Sequence, residues 1–557
     1  MTYSRAELKA PRLTGMALRA VVSLAEMPGT STLLRAQMLA QIGIPAWRRR
    51  VIDDPSEPRP RFAGTDLVDG PQPDLAALVE AAPACPPFES VADFARAYRD
   101  GRTTPEQVAD RLVQAIDASE HLDTPLRVFV RVQADDIRRQ ASASARRLRE
   151  GQALGPLDGV PVAVKDELDV AGYPTTVGTG FLGQSDATVD ATVVARWRAA
   201  GALIIGKANM HEIGIGVTGL NPHHGACRNP YDPSRKTGGS SSGPAAAVAA
   251  GLCPLAIGAD GGGSIRLPSA LCGVFGLKPS YGRVSEHGAA QLCWSVAHVG
   301  PIAATASDLA LGYALMAGPD PKDPSSLGQP SVHLEGFNSV DLKGLRVGVY
   351  RAWFEDAEPE VVRVCQGALD SLAALGAQVV EVEIPDLGDF HLAHLVTIVS
   401  EMLAAMRPHL DEPARFGADV RLNLALAQGL SSEDYVRAQR WRARAMRTLD
   451  GVLSTVDVVA TPTSALTAPP IAADALDGES DLVQLNAIMR YATLGNLTGL
   501  PVISIPVGQS HAGLPVGLQL LARGWHEHLL LRAARALETT LTRGTPRWQA
   551  RLLPPTP

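Results

Sequence analysis

Two glycine-flanked serine clusters stand 24 positions apart in this chain, Lys236-Thr-Gly-Gly-Ser240-Ser-Ser-Gly and Asp260-Gly-Gly-Gly-Ser264-Ile-Arg266-Leu-Pro268. Neither contains a histidine. A serine hydroxyl is a weak nucleophile near neutrality and needs a base within hydrogen-bond reach. The candidate base is Lys165, 75 residues before Ser240 in the apolar run Val160-Pro-Val-Ala-Val-Lys-Asp. Lysine can serve only where burial or a nearby cation lets it give up its proton, and Val162, Ala163 and Val164 supply apolar surroundings. The residues alone leave a second reading open, in which Lys165 pairs with Asp166 or Glu167 on a surface turn. Gly261, Gly262 and Gly263 place bare N–H groups beside the Ser264 hydroxyl, as an oxyanion hole requires. The same triplet also fits a flexible turn or a phosphate cradle, although no GK[ST] lysine follows it.

The elements around these clusters read as an α/β sheet. Buried strands are expected at Gly159–Val164, which delivers Lys165 at its end, and at Ala202–Gly206, with a helix at Ala187–Gly201 between them. The alternation recurs as strand Leu345–Tyr350, helix Pro359–Leu375 and strand Gln378–Glu383. Later strands follow at Val456–Ala460, Val502–Pro506 and Gly517–Leu521, and a helix at His528–Leu541. Gly243–Ala259, between the serine clusters, reads as one buried alanine-rich helix. It is too weakly apolar, and too interrupted by Pro254, to span a bilayer.

At 557 residues with 46% hydrophobic and 20% charged content, the chain is that of a globular protein with a large core. A net charge of −7 argues against a nucleic-acid binder held by phosphate contacts. Cys85, Cys227, Cys253, Cys272, Cys293 and Cys365 show no CxxC and no pairing pattern, so reduced thiols in a cytoplasmic protein are expected. Met1–Arg12 lacks the apolar core of a signal peptide. Asn221-Pro-His-His-Gly, with His211 upstream, resembles a metal motif but lacks a cysteine or carboxylate at ligand spacing. A loop that shapes the site is expected there, and no metal.

Residues 1–50 hold eight Lys/Arg against Glu7 and Glu26. Two short apolar helices are expected there, Leu13–Leu24 and Leu33–Ile44. Basic residues beside apolar helix faces suit an anionic membrane surface; alternatively, the helices pack on the main domain with their arginines facing solvent. The proline-heavy Asp53–Arg61 reads as a linker. The expected organisation is an N-terminal helical extension over residues 1–62, a linker over 63–89 and one large domain over 90–557.

Taken together, these motifs resemble the amidase signature family. The pattern Gly-Gly-Ser-Ser, a small-residue segment, then Asp-x-Gly-Gly-Ser-Ile-Arg-x-Pro is met position by position, and Pro161–Asp166 matches the family's Pro-x-x-x-Lys-Asp. Similarity runs from about Ser90 to Glu538. It takes in Gly206-Lys-Ala-Asn-Met-His-Glu212, Arg228-Asn-Pro-Tyr-Asp-Pro233, Gly276-Leu-Lys-Pro-Ser280 and Gly517-Leu-Gln519. The resemblance implies a large central mixed β-sheet covered by helices on both faces. It also implies a Ser–Ser–Lys triad in which Ser264 is the nucleophile, Ser240 the bridging serine after a cis peptide, and Lys165 the neutral base. Gly261, Gly262 and Gly263 take the oxyanion-hole role, with Ser241 as auxiliary donor. No cofactor is implied.

The triad names a reaction and leaves the substrate open. The segment Gly206–Glu212, Gly219-Leu-Asn-Pro-His-His-Gly225 and, more loosely, the extension resemble the plant-type fatty acid amide hydrolase branch. That branch implies N-acylethanolamines and related long-chain acyl amides as substrates, a homodimer, and peripheral membrane contact, here through residues 1–50. The competing readings are a broad-specificity amidase on aryl or short-chain amides and the glutamine-hydrolysing component of a tRNA-dependent amidotransferase.

Overall fold

The computed structural model describes residues 10–27, 29–52 and 70–555. The expected linker Asp53–Arg61 and the basic residues Arg5 and Lys9 lie outside them. Eleven strands form one mixed sheet: β1 (Phe129–Arg131), β2 (Pro161–Lys165), β3 (Leu203–Ala208), β4 (Leu255–Ala259), β5 (Phe275–Lys278), β6 (Val299–Ala303), β7 (Arg346–Val349), β8 (Gln378–Glu381), β9 (Val458–Pro462), β10 (Val502–Gln509) and β11 (Pro515–Ala522). Their order across the sheet is β8-β7-β9-β11-β10-β5-β6-β4-β2-β3-β1. β4, β2 and β3 run parallel, as do β8, β7 and β9, while the strands between the two groups are antiparallel.

β2, β3 and β4 are buried along their whole length. Parallel strands covered on both faces read as continuous apolar runs, and this is how Pro161-Val-Ala-Val-Lys and Leu255-Ala-Ile-Gly-Ala read. The carboxyl ends of β2 and β4 therefore lie side by side, and Lys165 and Ala259 sit at those ends. In open α/β sheets that is where ligands bind.

The strands expected from the sequence are all present, with ends moved by a few residues. Two helix expectations need correction. Gly243–Ala259 is a helix followed by a strand: α4 (Ser242–Ala249) ends at Gly251, whose φ of +67° is a left-handed helix stop, and the chain re-enters the sheet as β4. The helix expected at Ala187–Gly201 covers only Thr192–Ala199. The N–H groups of Ala187 and Ala191 are already donated to the carbonyls of Tyr173 and Asp169.

The described part of the extension holds a short strand, Leu13–Thr14, paired with Glu479–Ser480, and three helices: α1 (Gly15–Glu26), α2 (Ser31–Gln41) and α3 (Ile44–Arg49). The other helices that bear on the site are α5 (Arg266–Leu271), α6 (Leu387–Met406), α7 (Ala418–Ala427) and α8 (Ser432–Leu453). Leu18, Val22 and Ala25 of α1 bury against Leu422 and Ala425 of α7. Ile44 and Trp47 of α3 join a second apolar core with Phe390 of α6 and Trp441 of α8.

The arginines of the extension do not simply face outward. Arg12 pairs with Glu479 at 2.7 Å, Arg48 with Asp434 at 2.6 Å and Arg50 with Asp389 at 2.7 Å, all acidic groups of the main domain. Within the span expected as linker, Leu75–Glu80 is helical and buries Leu78 in the main core.

Candidate active site

Lys165 is 1% exposed, and its Nζ touches three oxygens. They are Ser240 Oγ at 2.8 Å, the Ala259 carbonyl at 3.1 Å and Glu167 Oε2 at 2.7 Å. Both readings of this lysine left open by the sequence meet here: it is buried in the sheet, and it pairs with Glu167. The pair lies inside the protein, with Glu167 itself buried. Asp166, the other sequence neighbour, turns the opposite way to Lys207 of β3, at 3.1 Å.

Ser240 follows a cis peptide from Gly239. The hydroxyls of Ser240, Ser241 and Ser264 are in different states. Ser240 Oγ faces Lys165. Ser241 Oγ donates to the Ala259 carbonyl at 3.0 Å and accepts from the Ala259 N–H at 3.3 Å. Ser264 Oγ makes no hydrogen bond among the described residues, although the residue is only 5% exposed. The clusters are tied together by the Ser241 N–H, which donates to the Ser264 carbonyl at 3.1 Å.

Side chains from distant parts of the chain hold the glycine loop. Asp260 Oδ1 accepts the Gly263 N–H at 2.6 Å and Oδ2 the Ile265 N–H at 3.1 Å. Arg266, on α5, bonds both oxygens of Asp260 and reaches on to Asn496, Gln519 and the Ala492 carbonyl. Buried though it is, the Asp260 carboxyl is held well below the usual carboxylate range by the Arg266 guanidinium and these N–H donors. Gly263 gives its N–H to Asp260, and the N–H groups of Gly261, Gly262 and Ser264 are left without a hydrogen-bond partner among the described residues. Gly263 also has φ +112°, and a Cβ there would come within 2.6 Å of the Ala492 side chain; only glycine suits that position.

His394, on α6, carries no sequence motif and escaped the sequence reading. Its Nε2 lies 2.8 Å from the Gly261 carbonyl, and its ring lies 2.9 Å from where a Gly262 Cβ would be. Burial pushes its imidazole down to about 3, so the ring is neutral and donates its N–H to that carbonyl. Asn496 and Gln519, 230 and 253 residues beyond Arg266, accept from its guanidinium, and Asn496 also donates to the Asp260 carbonyl.

The three loop histidines face three different partners. His211 Nε2 lies 3.2 Å from Asp419 of α7, and its backbone N–H donates to the Ser240 carbonyl. His223 Nε2 lies 2.8 Å from Glu212, whose hydrogen bond pushes the imidazole up, and Glu212 in turn accepts the Gly417 N–H. His224 Nε2 is 3.0 Å from the Thr179 carbonyl. This loop passes close to Ser240: a Cβ on Gly214 would lie 3.5 Å from both Ser240 Oγ and Leu292, and 3.9 Å from Met402.

The Amidase family model matches residues 111–531, which hold all these groups. The chain belongs to the amidase signature family. It is an amide-hydrolysing enzyme. A fatty acid amide hydrolase of Oryza sativa subsp. indica is 40% identical, over 96% of this chain and 94% of that relative. The glutamyl-tRNA(Gln) amidotransferase A-type polypeptide of Synechococcus is 35% identical, over 84% of this amidase and 99% of that relative. Among solved structures, the native peptide amidase of Stenotrophomonas maltophilia superposes with a TM-score of 0.70 at 28% identity, over 82% of this chain and 98% of that one.

Proposed function

We propose that this amidase cleaves long-chain acyl amides, N-acylethanolamines among them, through an acyl-enzyme on Ser264. The observation that carries this reading is coverage. The rice relative matches 96% of the chain, so the likeness must reach into the N-terminal extension, whereas the amidotransferase polypeptide matches 84%. Apolar side chains on two sides of the serines agree with a hydrocarbon substrate. Leu292, Val296, Met402 and Met406 cluster on the side of Gly214 and Ser240. Leu267, Ile488 and Ala492, with Met489 against them, cluster on the side of Gly262 and Gly263.

In the mechanism, neutral Lys165 keeps its two N–H hydrogens, one donated in a hydrogen bond to the Ala259 carbonyl and the other beside Glu167, and turns its lone pair to the Ser240 hydroxyl. Lys165 takes the Ser240 proton, Ser240 takes the Ser264 proton, and Ser264 Oγ attacks the amide carbonyl carbon. The oxygen that becomes anionic is met by the open N–H groups of Gly261 and Gly262, each worth about 3 kcal/mol in the barrier. Return of the proton along the same path converts the leaving nitrogen into a free amine. Water, deprotonated by the same relay, then releases the carboxylic acid from Ser264. Ser241, locked to both polar groups of Ala259, holds the two clusters in register.

The extension is proposed to rest on the cytoplasmic face of the membrane in a homodimeric enzyme. Met16 (84% exposed) and Leu33 (77%) support this, as do the exposed Leu24 of α1 and Met27 just after it. No helix among the described residues is long and apolar enough to cross a membrane.

The test is a chain-length series of acyl amides assayed beside glutamine, using the purified protein on its own. Turnover that rises with acyl length supports the reading. The likeness to the amidotransferase polypeptide favours a second reading, in which glutamine releases ammonia and acyl amides do not turn over.

A further inference from the structure

We propose that Glu167 is a positioning residue that governs the protonation of Lys165 and so sets the pH above which the enzyme is active. This rests on the reading of Lys165 as the base. Three oxygens surround Nζ, from Ser240, Ala259 and Glu167. Two N–H groups of the ammonium find hydrogen-bond acceptors in Ser240 Oγ and the Ala259 carbonyl, and the Glu167 carboxylate lies 2.7 Å away as counter-ion. The resting site therefore suits the charged form. To act as a base, Lys165 must lose the proton that faces Ser240. A carboxylate 2.7 Å away opposes that loss, because it attracts the ammonium and has no comparable attraction for the amine. Burial, with Val162, Ala163 and Val164 fully enclosed on the same strand, acts in the opposite sense.

The other titratable groups near the pair leave this role to Glu167. Asp166 is engaged by Lys207, by Thr176 and by the Gly178 N–H. Cys293, from the segment before β6, is a thiol pushed well above its ordinary range by burial, with Glu167, Glu401 and Glu286 adding to the effect, so it stays neutral. Glu401 of α6 accepts from the Ser295 N–H and the Tyr435 hydroxyl. Glu286 acts on the same thiol from the loop before β6. Among the titratable groups of the described residues, Glu167 alone touches Nζ. It also follows Lys165 by two residues, in the turn just after β2. The sequence therefore couples a base to its own counter-ion.

The experiment compares the parent, Glu167→Gln and Glu167→Asp across mildly acidic to alkaline pH. It reads kcat/KM on an acyl amide and, independently of substrate choice, the rate at which a fluorophosphonate modifies Ser264. In Glu167→Gln the acidic limb of both profiles moves to lower pH by about one to three units, the range expected on removing an opposite charge in contact. The plateau rate falls, because the amine is then the weaker base. Glu167→Asp, whose charge is withdrawn by one methylene, moves in the same direction by less. Circular dichroism identifies the variants that fold, and either one decides the matter. An acidic limb that stays in place or moves to higher pH in a folded variant overturns the proposal.

Lys165→Ala separates the two layers of the argument. If fluorophosphonate modification survives in it, the base assignment itself has failed. If modification is lost while the Glu167→Gln limb stays in place, only the role of Glu167 has failed.

Discussion

The catalytic loops and the N-terminal extension are held to the same domain by opposite means. Around Ser264, buried side chains grip main-chain atoms: Asp260 holds two N–H groups, His394 a carbonyl, and Ser241 both polar groups of Ala259. The extension is held by one face of each helix and by half-exposed ion pairs such as Arg421–Glu26 at 2.6 Å, while Met16 and Leu33 stay outside. A buried polar tie fixes backbone to within a fraction of an ångström, as transition-state stabilisation demands. A surface ion pair holds a helix at little energetic cost to release. The comparison separates ties that serve the reaction from ties that serve placement.

The largest effect should come from Ser264→Ala. Turnover falls by about a million-fold, the scale of losing a nucleophile, while circular dichroism and the melting temperature stay close to the parent. Appreciable residual turnover would remove the distinction between Ser264 and its neighbours Ser240 and Ser241.

Next comes His394→Phe, which keeps the ring and removes the donor to Gly261. We expect kcat to fall about 10- to 100-fold, somewhat less than for loss of an oxyanion donor itself, with KM nearly unchanged. His394→Gln, which restores an N–H at similar reach, should recover most of the loss. Full activity in His394→Phe together with a fall in His394→Gln would mean the ring only fills space.

The same histidine gives a pH signature. Its imidazole is pushed from 6.5 down to about 3 in the fold, so its contribution to stability is present above about pH 6.5 and is lost as pH falls toward 3. His391, pushed down to about 4, acts in the same sense. Denaturant midpoints should decline across that window in the parent, and less steeply in His394→Gln, which cannot titrate there.

How much of this was legible in the sequence follows the same division. Lys165, Ser240, Ser264 and the glycines stand in short motifs, because a nucleophile, a tight turn and bare N–H groups must be adjacent along the chain. The sheet was legible too, since fully buried parallel strands leave uninterrupted apolar runs. The supports were not. His394, Asn496 and Gln519 reach the loop from more than 100 residues away, and nothing in their neighbours announces a partner. Glu167 was in plain view, but only the direction of its side chain tells a buried counter-ion from a surface pair. Gly243–Ala259 read as one helix because alanine and glycine suit helix and buried strand alike, and the stop at Gly251 is a matter of backbone angle.

On the extension, the effects are smaller. Arg421→Ala releases Glu26 and should cost at most about 1 kcal/mol, with turnover of a short soluble amide unchanged. Met16→Ser with Leu33→Ser should weaken sedimentation with anionic vesicles and leave that turnover unchanged as well. If either change lowers kcat on the short amide, the extension is part of the catalytic apparatus and the contrast with the loops collapses.

The central claim is that an acyl group passes through Ser264. It is tested most directly by quenching the enzyme during turnover of a long-chain acyl amide and mapping the added mass by peptide mass spectrometry. We expect the acyl mass on the peptide that holds Ser264, and none in Lys165→Ala. An acyl mass on Ser240 or Ser241 instead, or rapid turnover with no trapped acyl group under any quench, would contradict it.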